Sequence, residues 1–143
     1  ISTNKNISLI NQNGNRIWDL DIRSSISPII SGNTIFMINE DNYLIFIDVV
    51  TGKIIFSKNL HSILMQDYKK NFQRIIKKIN YISLINNKLL LISKNSYFIE
   101  VNLENNIKVS SIKKNPFMIS SDIIFLKNEM IFVSHSNRVY KVN

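Results

Sequence analysis

Two histidines, His61 and His135, and a few acidic groupings are the residues of this 143-residue chain with the most chemical potential. An imidazole binds metal or carries protons near neutral pH, but a metal site needs three or four convergent ligands. Neither histidine has an Asp or Glu at ligand spacing, so both read as surface or hydrogen-bonded structural residues. Asp19-x-Asp21 has the look of a carboxylate pair, and alternate positions of a solvent-facing strand account for it. Glu40-Asp41-Asn42 offers oxygens like a calcium loop, without the spaced ligands or the downstream bidentate acid such a loop needs. It reads as a polar hairpin turn. The chain has no cysteine, which excludes disulfides, thiolate zinc sites and cysteine nucleophiles. Its three glycines all fall in turns and form no phosphate loop, and no serine sits in a nucleophile elbow. No catalytic, cofactor-binding or metal residue is assigned, and the chain is expected not to be an enzyme.

The elements that carry these residues repeat. Asn33–Ile38 and Tyr43–Asp48, Asn87–Ile92 and Tyr97–Asn102, and Asn128–Val133 and Arg138–Asn143 are three hairpins in register, each with a four-residue polar turn. Such self-similarity marks stacked or radial copies of one structural unit. Around the hairpins the pattern predicts strands at 26–30, 34–39, 43–48 and 53–57, then 79–85, 88–93, 97–102 and 107–112, then 117–126, 130–134 and 138–143. Two further strands, Ile7–Ile10 and Arg16–Ile22, flank the Asn11-Gln12-Asn13-Gly14 turn. Pro28 is suited to a strand start rather than the middle of a ladder. Asn87 and Asn128 lie 41 residues apart, within the roughly 40–50 residues expected of a four-stranded propeller blade.

The first two units are 54 residues apart, so a segment is inserted between them. In 58–78, Leu64, Tyr68, Phe72, Ile75 and Ile79 recur at helical spacing, with Lys69, Lys70, Arg74, Lys77 and Lys78 elsewhere on the wheel. This predicts an amphipathic helix packed on the sheet edge with a solvated basic face. A grip on a partner or an anionic membrane is the second reading of that face.

Composition agrees with an all-β chain. Hydrophobic residues make up 45% of it, rich in Ile, Phe, Tyr and Val, and alanine is absent. The net charge is +8, but the segment from Lys58 to Lys78 alone supplies +5, and the rest is nearly neutral. A basic stripe for nucleic acid is therefore not indicated. No apolar run approaches the roughly 20 residues of a membrane span. The chain opens at Ile1 without a secretion signal, which reads as a removed leader or an excised piece.

The window from Trp18 to Phe56 resembles the PQQ-like repeat family of β-propellers. Trp18, Ser27-Pro28, Gly32, Asp48, Thr51-Gly52 and Phe56 occupy, in order, the places of that family's tryptophan, Ser-Pro opening, glycine turn, aspartate, Thr-Gly and second aromatic. Gly14 and Trp18 repeat the offset of Gly52 and Phe56, as the end of a preceding blade would. The glycine is suited to a tight outer hairpin, the aspartate to accepting hydrogen bonds from it, and the aromatic to packing between blades. The second unit departs from this pattern with Asn102, Asn105-Asn106 and Ser110, and Phe46 stands where the family has a small residue.

The expected architecture is thus a partial propeller of four-stranded antiparallel blades with one inserted helix. Residues 1–22 end a preceding blade, 26–57 form a blade, 58–78 the basic helix, 79–112 a second blade and 117–143 an incomplete third. Further blades or self-association would close the ring. Among PQQ-like propellers, the resemblance is greatest to the periplasmic lipoprotein subunit of the bacterial outer-membrane β-barrel assembly machinery. It implies a non-catalytic scaffold at the periplasmic side of the outer membrane, docked on a barrel-assembly subunit, with no cofactor. An arc of a PQQ-dependent quinoprotein dehydrogenase is the alternative, but its cofactor-contacting residues are not recognisable here. Glycan recognition would need exposed aromatics on one loop side, which Tyr43, Tyr97 and Tyr140 do not provide.

Overall fold

The computed structural model describes residues 6–24, 26–67, 78–104, 107–126 and 129–142. Their strands form antiparallel sheets that follow chain order without crossover. β1 (Ile7–Ile10) pairs with β2 (Arg16–Leu20). β3 (Ile29–Ser31), β4 (Thr34–Ile38), β5 (Tyr43–Asp48) and β6 (Ile54–Asn59) make a four-stranded sheet. β7 (Ile79–Ile85), β8 (Lys88–Ser93), β9 (Tyr97–Asn102) and β10 (Lys108–Lys114) make the next. β11 (Ile124–Leu126), β12 (Glu129–Val133) and β13 (Val139–Val142) make a three-stranded sheet.

Burial on both faces explains the continuous apolar runs of the middle strands. Phe36, Ile38, Leu44 and Phe46 point one way, into a core shared with Leu89, Leu91, Ile99 and Val101 of the next sheet. Ile35, Met37, Ile45 and Ile47 point the other way, onto Ile7, Trp18 and Leu20 of the first sheet. Leu90, Ile92 and Phe98 likewise leave the β7–β10 sheet to meet Phe125, Met130, Phe132 and Tyr140. Each buried Leu, Ile or Phe stabilises the stack by about 1.5–3 kcal/mol. Sheets packed in chain order through such cores make an arc of a β-propeller.

Proline and serine account for the strands that differ from expectation. β3 starts at Ile29, directly after Pro28, which lacks the N–H a ladder needs. Only Ile124–Leu126 of the expected strand 117–126 is regular; Ile119 makes an isolated bridge to Ser134. There, Ser121 Oγ stands in for a backbone acceptor, receiving Val133 N at 2.8 Å, while Ser120 keeps a backbone bond, its N donating to Val133 O at 2.9 Å.

The two ends of the insertion run into neighbouring strands. α1 spans Leu60–Asp67; Lys58 belongs to β6 and Ile79 to β7. Tyr68, Phe72 and Ile75, with Lys69, Lys70, Arg74 and Lys77, lie outside the described residues. Asn59 caps the helix, its Oδ1 accepting from His61 N at 3.0 Å. Leu60, Ile63 and Leu64 are buried in the core between the two four-stranded sheets, while Met65 is exposed. α1 is therefore amphipathic and part of that core, rather than a cover laid on a sheet edge.

Candidate interaction surface

Three turns of one design line one end of the sheets: Asn39–Asn42, Ser93–Ser96 and Ser134–Asn137. Each closes with a backbone bond from its last residue to its first: Asn42 N to Asn39 O, Ser96 N to Ser93 O, and Asn137 N to Ser134 O. The last residue is left-handed in each, with φ of 61°, 64° and 57°. The side chain of the first residue caps the turn. Asn39 Oδ1 accepts from Asp41 N and Tyr43 N, Ser93 Oγ from Tyr97 N, and Ser134 Oγ from Arg138 N.

The same turns tie in the chain that enters and leaves each sheet. Glu40 N donates to Arg23 O, Lys94 N to Lys78 O and His135 N to Met118 O, at 2.9–3.0 Å. Leu60 N donates to Asn42 O at 2.8 Å, and Asn115 N to Ser96 O at 2.8 Å. The turns, the connections between sheets and the start of α1 thus share one face. The backbone holds this shape and leaves the second turn position to carry surface chemistry, while Asn95 and Ser136 at the third position bond back to the capping Ser93 and Ser134 at 2.8 Å. The turns differ in charge: Glu40-Asp41, then Lys94-Asn95, then His135-Ser136.

The capping role of Asn39, Ser93 and Ser134 was not anticipated from the sequence. Its signal is the Asn or Ser that follows the last apolar residue of the first strand of all three hairpins.

His61 and His135 occupy this end of the molecule but build no reactive site. His61 lies in the first turn of α1, and its Nδ1 is buried without a hydrogen-bond partner, as is Nδ2 of Asn115. His135 is exposed in the third turn. Among the described residues, no three His, Cys, Asp or Glu side chains converge as a metal site would require. Asp19 is exposed on β2 and accepts from Asn6 Nδ2, Ser8 Oγ and Arg16 NH1. Asp21 lies beyond the end of that strand, so the two acids are not alternate residues of one ladder. Glu40, Asp41 and Asn42 form the first turn, as expected of a hairpin.

The opposite end holds Asp48, Thr51, Gly52 and the indole of Trp18, part of the set that carries the sequence resemblance. Asp48 Oδ1 accepts from both N and Oγ1 of Thr51 at 2.7 Å, and these bonds hold its carboxyl below the usual 3.8. Gly52 closes that hairpin through Asp48 O at 2.9 Å with φ +69°. Phe56 stacks on Phe46 with centroids 4.7 Å apart. Trp18 packs on the first core and donates from Nε1 to Val49 O at 2.8 Å, so its ring is structural. In the second unit, Asn102 Oδ1 accepts from Glu104 N at 2.8 Å. The register shifts between Val109 and Ser111 there; Ser110 is exposed and Val109 buried.

A cleft of about 600 Å³ opens between the β7–β10 and β11–β13 sheets, lined by Leu90, Phe98, Phe125, Met130 and Val142. Its two carboxylates, Glu100 and Glu129, are paired with Lys88 at 3.5 Å and Lys141 at 2.6 Å. Apolar side chains make up most of the rest of its described lining.

The fold has known counterparts. The chain superposes on BamB from Moraxella catarrhalis with a TM-score of 0.69 and 9% identity, covering 96% of this chain and 37% of that one. Superposition on the N-terminal domain of Nup159 gives a TM-score of 0.53 and 12% identity, covering 89% of this chain and 29% of that one. The chain thus spans about a third of the length of these structures, and at such identities the likeness is one of fold. No family model matches the sequence, and no curated protein matches it. Among the described residues, no helix is long and apolar enough to cross a membrane.

Proposed function

We propose that this chain is part of a non-catalytic β-propeller scaffold that binds other proteins through the face formed by its three turns and α1. The observation that carries this reading is the likeness to BamB over 96% of the chain, joined to the PQQ-like residues between Trp18 and Phe56. The turn backbones are held by internal bonds, so the face is pre-organised and its side chains can be given over to recognition. The resemblance further points to the outer-membrane β-barrel assembly machinery, with docking on a barrel-assembly subunit at the periplasmic side of the outer membrane.

The test is binding of the full-length protein to the purified periplasmic region of the barrel-forming subunit from the same source, by surface plasmon resonance. The expected result is saturable binding that Glu40→Lys or Lys94→Glu weakens and Lys53→Glu leaves intact. Equal binding by all variants, or none by the parent, would refute the assignment. Titration with PQQ and calcium in a calorimeter is expected to give no heat of binding; a stoichiometric complex would move the protein to the quinoprotein dehydrogenases.

A further inference from the structure

We propose that the second turn and the connection after β10 form a docking site for an acidic, partly hydrophobic segment of a partner protein. This rests on the scaffold reading and adds to it the chemistry of the ligand.

Three exposed lysines gather around the turn Ser93–Ser96. Lys94 is the turn's second residue, and its backbone N–H donates to the carbonyl of Lys78 at 2.9 Å. Lys114 lies across the ladder from Tyr97, the residue that follows the turn, and its Nζ sits 4.5 Å from the centre of that ring. Among the described residues, none of the three lysines is in an ion pair. Cations placed around one turn and held in no ion pair create a positive potential that favours an incoming carboxylate.

The equivalent turns show that the fold does not demand these cations. The position of Lys94 is occupied by Glu40 in the first turn and His135 in the third, with the same backbone bonds. Lysine there contributes to the surface and not to the turn.

Next to the cations lies an apolar strip. Asn115 is bonded to Ser96 O, and Phe117 and Met118 follow it, 37% and 53% exposed. Phe117 is fixed in place by stacking on Tyr140, with ring centroids 3.9 Å apart, and Met118 O is held by His135 N at 3.0 Å. An ordered aromatic beside an adaptable thioether suits apolar side chains of a peptide. A nucleic acid would call for cations spread along a phosphate track; here they surround one turn and border apolar surface.

Fluorescence anisotropy with the chain at low and physiological salt tests this. The probes are a labelled peptide alternating Glu or Asp with Leu or Phe, its Gln/Asn analogue, a single-stranded oligonucleotide of equal charge and phosphatidylglycerol vesicles. The acidic peptide is expected to bind about tenfold more tightly than its neutral analogue and to weaken as salt rises. Combining Lys78→Glu, Lys94→Glu and Lys114→Glu should weaken it about tenfold or more, while Lys53→Glu with Lys108→Glu leaves it unchanged. Lys94→Glu alone, which places a residue the first turn already tolerates, should give a smaller loss in the same direction and guards against misfolding of the triple variant. No binding of the acidic peptide, binding indifferent to the three lysines, or tighter binding of the oligonucleotide or vesicles would overturn the proposal. A chain that binds the barrel-assembly subunit through Glu40 yet ignores the acidic peptide would refute this inference and leave the scaffold standing.

Discussion

Gly52 lies so close beneath the indole of Trp18 that a Cβ on it would stand 2.8 Å from Cγ and Cδ2 of the ring. The two residues belong to neighbouring sheets, and Trp18 Nε1 also bonds Val49 O in the same hairpin. One contact therefore joins the β5–β6 hairpin of one sheet to β2 of its neighbour. Glycine is needed there twice, for its φ of +69° and for the space the indole fills.

Gly52→Ala should therefore cost about 2–4 kcal/mol in urea unfolding, the sum of backbone strain and a displaced indole. Gly14 separates the two effects: its φ is +83°, but a Cβ added to it would meet no atom within 4 Å. Gly14→Ala should cost only about 1 kcal/mol. Equal losses at the two sites would mean that the indole does not press on Gly52.

Asp48 makes stability depend on acid. Hydrogen bonds from the Thr51 hydroxyl and amide lower its pKa in the folded chain below 3.8. Its contribution is complete above the unfolded value and is lost as pH falls through the lower folded value. Thermal melts between pH 7 and pH 2 should show Asp48→Asn flattening the acid limb of the parent's curve. An unchanged acid limb would remove Asp48 from the account.

The turn caps should act alike because they do the same work. Asn39→Ala, Ser93→Ala and Ser134→Ala are each expected to cost about 1 kcal/mol, since each strips an acceptor from turn amides. Chemical denaturation of the three single variants measures this. A cost confined to one of them would break the equivalence of the turns.

α1 should behave as core. Ile63→Ala is expected to cost about 2–5 kcal/mol, because Ile63 is fully buried between two sheets. Met65→Ala, on the exposed side of the same helix, should stay within about 0.5 kcal/mol. Similar small effects at both positions would detach α1 from the core.

The sequence was most legible where both faces of a strand are buried. β5, β7, β8 and β9 run where the apolar pattern places them, because aliphatic and aromatic residues at most positions leave no competing register. It misled where side chains compete with the backbone. The run 117–126 has the composition of a strand, yet Ser121 Oγ takes the Val133 N–H that a ladder would use. The helical wheel placed its stripe on Leu64, Tyr68, Phe72, Ile75 and Ile79; Leu64 is buried in α1 beside Leu60 and Ile63, Ile79 belongs to β7, and the other three lie outside the described residues. The interaction surface was least visible. Lys78, Lys94 and Lys114 are far apart in the chain and meet only through bonds between a turn and its neighbouring connections.

Site-specific photo-crosslinking of the full-length protein in its native cells tests the account most directly. Crosslinkers placed at Glu40, Lys94 and Met118 probe the turn face, and crosslinkers at Val50, Lys53 and Lys108 probe the opposite end of the same sheets. The account predicts discrete protein adducts from the first three positions and none from the others. Adducts confined to the far end would contradict it.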